Sequence, residues 1–160
     1  MIPYGRHEIS KSDIKAVLGV LSSEFLTQGP VVKEFEDAVA KYCNVKFGVA
    51  MNSATSALHT ACLALNLGRN DWFWTTANSF VASANCALHC GASVDFVDID
   101  PDTYNMCPNK LSEKLLDAEK KGKLPKIVMP VHFAGQPCDM RLIKKLSRKY
   151  GFQIIEDASH

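Results

Sequence analysis

The chain has 160 residues, and 18 Lys and Arg against 17 Asp and Glu leave a net charge of +1. That length supports a domain with a real core, while the balanced charge gives no electrostatic case for nucleic acid or an anionic membrane. Apolar residues form no run near the ~20 needed to span a bilayer, and residues 1–6 have no apolar stretch like that of a signal peptide, so a cytoplasmic protein is expected.

From the N-terminus, Ile14, Val17, Leu18 and Leu21 fall at helical spacing and predict an amphipathic helix over 10–23. Ser10 is its expected N-cap, with Asp13 three residues on. The run Glu24-Phe25-Leu26-Thr27-Gln28-Gly29-Pro30 ends it, because Gly-Pro is strong punctuation. A second helix is expected over 32–42, with Phe35, Val39 and Tyr42 on one face, and a first strand over 47–51.

Asn52-Ser53-Ala54-Thr55-Ser56-Ala57-Leu58 then opens a helix reaching about Leu65. A strand, a turn of small polar residues and a helix N-terminus make an anion site, since free N–H groups and the helix dipole point at its occupant. The alternative is an ordinary N-cap formed by Ser53. No G-x-G-x-x-G pattern is present, which argues against a dinucleotide.

A short aromatic strand is expected over 72–76, followed by a helix over 81–88. Phe80 lies just past that strand's carboxyl end, where it could stack on a flat ring or simply join the core. Strands over 93–99 and 127–133 and helices over 110–121 and 139–150 follow. A last strand then runs into Glu156-Asp157-Ala158-Ser159-His160. Asp157 thus sits at a strand's carboxyl end, where open α/β sheets bind ligands. A carboxylate there needs a partner, either the protonated ring nitrogen of pyridoxal phosphate or the N-terminus of a following helix. The six cysteines include no C-x-x-C pair and are read as small buried hydrophobes of a reducing compartment, with no metal expected.

Strands that alternate with helices predict an α/β fold, a mostly parallel sheet with helices on both faces.

Leu26-Thr27-Gln28-Gly29, the 52–58 segment, Ser79-Phe80-Val81-Ala82-Ser83-Ala84-Asn85, Val97-Asp98-Ile99-Asp100 and Glu156-Asp157-Ala158-Ser159-His160 together carry a resemblance. In order and spacing they resemble the N-terminal part of the DegT/DnrJ/EryC1/StrS sugar-nucleotide aminotransferases, and most of all the pseudaminic-acid branch. The resemblance implies the incomplete large domain of a fold-type I enzyme that uses pyridoxal 5′-phosphate. Residues 1–160 would be the N-terminal part of that domain, with a helical segment over 1–45, and the small C-terminal domain would be absent. Ala54, Thr55 and Ser56 would hold the cofactor phosphate, Phe80 would stack on its ring, Asp157 would pair with the ring N–H, and His160 would lie near the phenolic oxygen. Tyr4, Glu24, Phe25, Leu26 and Thr27 would line the sugar-nucleotide side.

The implied reaction is amination at C4 of a UDP-linked 4-keto-6-deoxy-N-acetylhexose, with glutamate as amino-acid donor and a homodimer as the intact enzyme. Two departures stand out. Ala77 occupies a position where the family commonly has Pro, and no Ser-Phe-His-x-x-Lys segment, the source of the Schiff-base lysine, is present. No catalytic residue is therefore assigned in this chain, which is expected to be inactive alone; Lys126, at the start of a strand, stands at the wrong end of the sheet. The competing readings are a module that holds a phosphate cofactor or nucleotide without turnover, and an α/β domain whose helix at Ser53 is merely capped.

Overall fold

A computed structural model describes residues 5–160, which form two compact units divided after Ala50. In the first unit, helix α1 spans Lys11–Leu21 and α2 spans Pro30–Tyr42. The expected capping box at Ser10 is present: its hydroxyl accepts from the Asp13 N–H at 3.2 Å, and its own N–H donates to the Asp13 carboxylate at 2.7 Å. Pro30 starts α2, where its missing N–H costs nothing. Ala40 is the only residue of these two helices that is buried.

The strand expected over 47–51 is not formed, because the segment has no ladder partner among the described residues. It is tied to α2 instead. The Ala50 N–H donates to the Glu36 side chain at 3.0 Å, and a Cβ on Gly48 would stand 2.6 Å from the Glu36 carbonyl oxygen. Glycine at 48 is what allows the two backbones to approach so closely.

The second unit contains α3 (Ala54–Ala64), β1 (Trp72–Thr75), α4 (Ala82–His89), β2 (Ser93–Phe96), α5 (Pro108–Lys120), β3 (Ile127–Val128), α6 (Met140–Tyr150) and β4 (Gln153–Ile154). All strand pairs are parallel, in the order β2-β1-β3-β4. Each strand is shorter than its apolar run. Pro130 offers no N–H beyond β3, so the expected 127–133 strand resumes only as a single bridge between Val131 and Asp157.

Side chains alternate across the sheet with the period of two that a strand imposes. Phe73, Ile127 and Met129 point to one face, where Leu58 and Cys62 of α3 and Cys86 and Ala87 of α4 cover them. Trp74 and Val128 point to the other, under Leu111, Leu115 and Ala118 of α5 and Ile143 and Tyr150 of α6. Helices thus cover both faces, and fully buried side chains of this size contribute about 1.5–3 kcal/mol each. The chain leaves β1 for β2 on one side and then crosses back to β3 on the other. The β1–β3 boundary is therefore the topological switch point, and its carboxyl end is where the fold opens a crevice.

The cysteines only partly follow expectation. Cys62, Cys86 and Cys138 are buried, whereas Cys90 and Cys107 are half-buried and Cys43 is exposed. A hydrogen bond with Cys86, together with burial, pushes the Cys62 thiol up, and the same bond draws the Cys86 thiol down; both side chains are packed in the core under the sheet.

Candidate functional site

At that carboxyl end lies a cavity of about 360 Å³. Four segments line it: Ala54, Thr55 and Leu58 at the start of α3, Asn78–Phe80 after β1, Val131–Phe133 after β3, and Asp157, Ser159 and His160 after β4. Ala82 of α4 completes the wall. Five of the sequence-assigned cofactor residues, Ala54, Thr55, Phe80, Asp157 and His160, are thus brought to one place.

At the first corner, Ser53 caps α3 by accepting from the Ser56 N–H at 3.1 Å, and the two hydroxyls lie 3.0 Å apart. The cap takes up the N–H of Ser56, which does not line the cavity, and leaves those of Ala54 and Thr55 to face an anion. The cap and the two free amides therefore coexist at this helix. Phe80 is 74% exposed, so it is no core residue; its ring stands at the cavity wall.

Asp157 is 5% exposed and is placed by backbone as much as by side chain. Its N–H donates to the Pro130 carbonyl and its carbonyl accepts from the His132 N–H, both at 3.0 Å. Ser83 Oγ donates to Oδ2 at 2.7 Å. The Ser159 hydroxyl, at 2.6 Å, and its N–H, at 3.3 Å, both donate to Oδ1. What the arrangement offers chemically is a buried carboxylate, held from two sides, in the same cavity as the unspent amides of a helix N-terminus.

The opposite wall is secured by Asn105, 4% exposed, which sequence reasoning missed. Its amide donates to the Gln136 and Pro137 carbonyls at 2.9 and 3.2 Å and accepts from the Phe133 N–H at 3.0 Å. Asn78 donates to the Tyr104 carbonyl at 2.8 Å. Ser79, Ser83, Ser159, His132 and Phe133 were also not singled out; only the i, i+4 spacing of Ser79 and Ser83 offered a signal for that pair.

Glu24, Phe25, Leu26 and Thr27 belong to the first unit, in the turn between α1 and α2, and all four are exposed. Tyr4 lies outside the described residues. Lys126 Nζ binds Asp71 and the Asn66 carbonyl at the amino end of β3, the end of the sheet away from the cavity. No helix among the described residues is long and apolar enough to cross a membrane.

The DegT/DnrJ/EryC1/StrS aminotransferase family profile matches residues 7–160. The chain is 41% identical over 161 residues to a UDP-4-amino-4,6-dideoxy-N-acetyl-beta-L-altrosamine transaminase of Campylobacter jejuni, covering 100% of this chain and 41% of that protein. It is 38% identical over 159 residues to the spore coat polysaccharide biosynthesis protein SpsC of Bacillus subtilis, covering 99% and 39%. Among solved structures, Spr1654 of Streptococcus pneumoniae in its PLP form superposes with a TM-score of 0.87 at 29% identity, covering 99% of this chain and 43% of that one. The chain spans about 40% of the length of the curated relatives it matches. With a family match over residues 7–160, nearly its whole length, the chain belongs to the DegT/DnrJ/EryC1/StrS aminotransferase family.

Proposed function

We propose that this chain is the cofactor-holding part of a sugar-nucleotide aminotransferase that uses pyridoxal 5′-phosphate. The observation that carries the reading is the shared cavity, which joins a buried carboxylate at Asp157 to the free amides of Ala54 and Thr55. Those features match the two poles of the cofactor, a protonated ring nitrogen and a dianionic phosphate. When bound, pyridoxal 5′-phosphate supplies an electron sink next to the nitrogen being transferred.

The chain's own residues have separable tasks. The Ala54 and Thr55 amides and the Thr55 hydroxyl take the phosphate, and Ser56 supports them through the cap it forms with Ser53. Asp157 keeps a proton on the ring nitrogen, and a buried acceptor does so more effectively than a solvated one. Phe80 offers a flat apolar face to the ring, and His160 a polar group on the cavity wall. The lysine chemistry and the amino transfer itself belong to the longer protein.

For substrate, the similarity to the Campylobacter transaminase supports a UDP-linked 4-keto-6-deoxy-N-acetylhexose aminated at C4; glutamate is the donor that the sequence resemblance implies. A homodimer working in the cytoplasm is the matching assembly and location.

Equilibrium titration of the chain with pyridoxamine 5′-phosphate, followed by its fluorescence, tests the cofactor reading. Saturable binding that is lost in Asp157→Ala and weakened by competing inorganic phosphate is the expected result. Binding unaffected by Asp157→Ala, or no binding at all, defeats it.

A further inference from the structure

We propose that Ser79 and Ser83 are positioning residues: their hydroxyls form a directed chain that pins the Asp157 carboxylate and leaves it about one acceptor site for a ligand in the cavity. The inference rests on the cofactor reading above and deepens it.

The direction of the chain follows from counting protons. A serine hydroxyl has one hydrogen to give. That of Ser83 goes to Asp157 Oδ2 at 2.7 Å, so at its 2.6 Å contact with Ser79 it can only accept. Ser79 therefore donates to Ser83, and Ser83 to the carboxylate. Ser83 is 1% exposed, which shields its hydroxyl from bulk solvent. The spacing is helical: the two residues are four apart, with Ser79 in the loop before α4 and Ser83 inside its first turn.

Acceptor counting gives the consequence. A carboxylate offers about four lone-pair sites. The Ser83 hydroxyl takes one on Oδ2, and the Ser159 hydroxyl and N–H take two on Oδ1. About one remains, and Asp157 lines the cavity. Because Oδ1 and Oδ2 are held from different elements, the plane of the carboxylate is fixed before anything binds, which is how preorganised acceptors gain strength.

Removing the Ser83 hydroxyl would leave Oδ2 buried without its donor. The carboxylate is then held through Oδ1 alone, its plane is free to turn, and the remaining lone pair is no longer fixed towards the cavity.

The test compares the affinity of the chain for pyridoxamine 5′-phosphate with that for its 1-deaza analogue, which has carbon in place of the ring nitrogen. The ratio reports the contact between Asp157 and the ring nitrogen, and the affinity for the analogue reports whether the pocket is intact. The unaltered chain should prefer the natural ring by about tenfold or more, the worth of one charge-assisted hydrogen bond. Ser83→Ala should cut the ratio by about tenfold with the analogue's affinity unchanged, Ser83→Thr should keep it, and Ser79→Ala should cut it less. A ratio in Ser83→Ala that stays the same or rises overturns the pinning while leaving the cofactor reading intact. An unaltered chain that binds neither compound overturns both.

Discussion

His132 and Glu156 lie side by side beyond the ends of β3 and β4, with His132 Nε2 2.9 Å from Glu156 Oε2. The other ring nitrogen, Nδ1, accepts from the Cys138 N–H at 3.1 Å, which places the imidazole proton on Nε2 and makes it the donor to glutamate. The pair flanks the backbone bonds that position Asp157, so it fastens the two strand extensions together where the ladder itself has ended. Glu156 is half exposed, and Glu156→Ala should therefore cost under about 1 kcal/mol. His132→Ala also orphans the Cys138 N–H and should cost about 1–3 kcal/mol. Chemical denaturation of the two variants checks the ranking, and nitrogen NMR of the ring checks the tautomer.

Trp74 is 2% exposed at the centre of the sheet, and its indole N–H has no partner among the described residues. Trp74→Phe removes that orphaned donor along with part of the ring, so two effects of opposite sign should leave stability within about 1 kcal/mol of the original. Trp74→Ala has no such offset and should cost about 3–5 kcal/mol. Thermal melts that show the Phe variant as damaged as the Ala variant would mean that the indole nitrogen is satisfied in solution, for instance by water.

The sheet and the site were legible in the sequence to different degrees. Helices such as α1 were visible because they carry a periodic stripe or a cap, as Ser10 with Asp13 shows, whereas α4 has no side-chain cap and was expected only from the strand–helix alternation. The β1, β3 and β4 runs were visible as apolar bursts ending in polar residues. What failed was the 47–51 segment, whose pattern is that of a strand but whose status depends on a neighbour that no local signal announces. The ligand corners were legible for the same reason as the strands, since Asp157 and Phe80 follow strand ends. The fastenings around them were not. Asn105 reaches the backbone of residues about thirty positions away, and Ser83 reaches a carboxylate 74 positions on. Such long-range hydrogen bonds leave no periodic trace.

Stability should fall in acid through a small set of carboxylates. The hydrogen bond from Lys126 to Asp71 holds the Asp71 carboxyl below its ordinary value of 3.8, and backbone N–H groups of Thr103 and Asp102 do the same for Asp100. A folded-state value below the unfolded one means that the stabilisation is present above the unfolded pKa and is lost as pH falls through the folded one. The chain should thus hold its Tm down to about pH 4 and lose it progressively below. Asp71→Asn should flatten part of that slope while costing little at neutral pH, because the pair is partly solvated. Melting curves across pH for both proteins decide the point, and an unchanged slope in the variant would shift the acid sensitivity to other groups.

Helix α1 presents Ile14, Val17, Leu18 and Leu21, each 52–61% exposed, as one unbroken apolar stripe. Four such side chains in adjacent turns form a patch that isolated soluble chains rarely leave in water. Phe35 and Val39 of α2 and Phe47 and Val49 after it add further exposed apolar surface. The chain should therefore self-associate at micromolar concentration, through hydrophobic contact that strengthens with added sulfate and is insensitive to moderate changes in ionic strength. Replacing Val17 with Lys and Leu21 with Glu puts charges into the stripe at i, i+4 spacing without breaking the helix, since both residues are good helix formers. Sedimentation velocity should show the association reduced in that double variant with helix content retained. A native chain that sediments as a monomer at all concentrations would overturn this expectation.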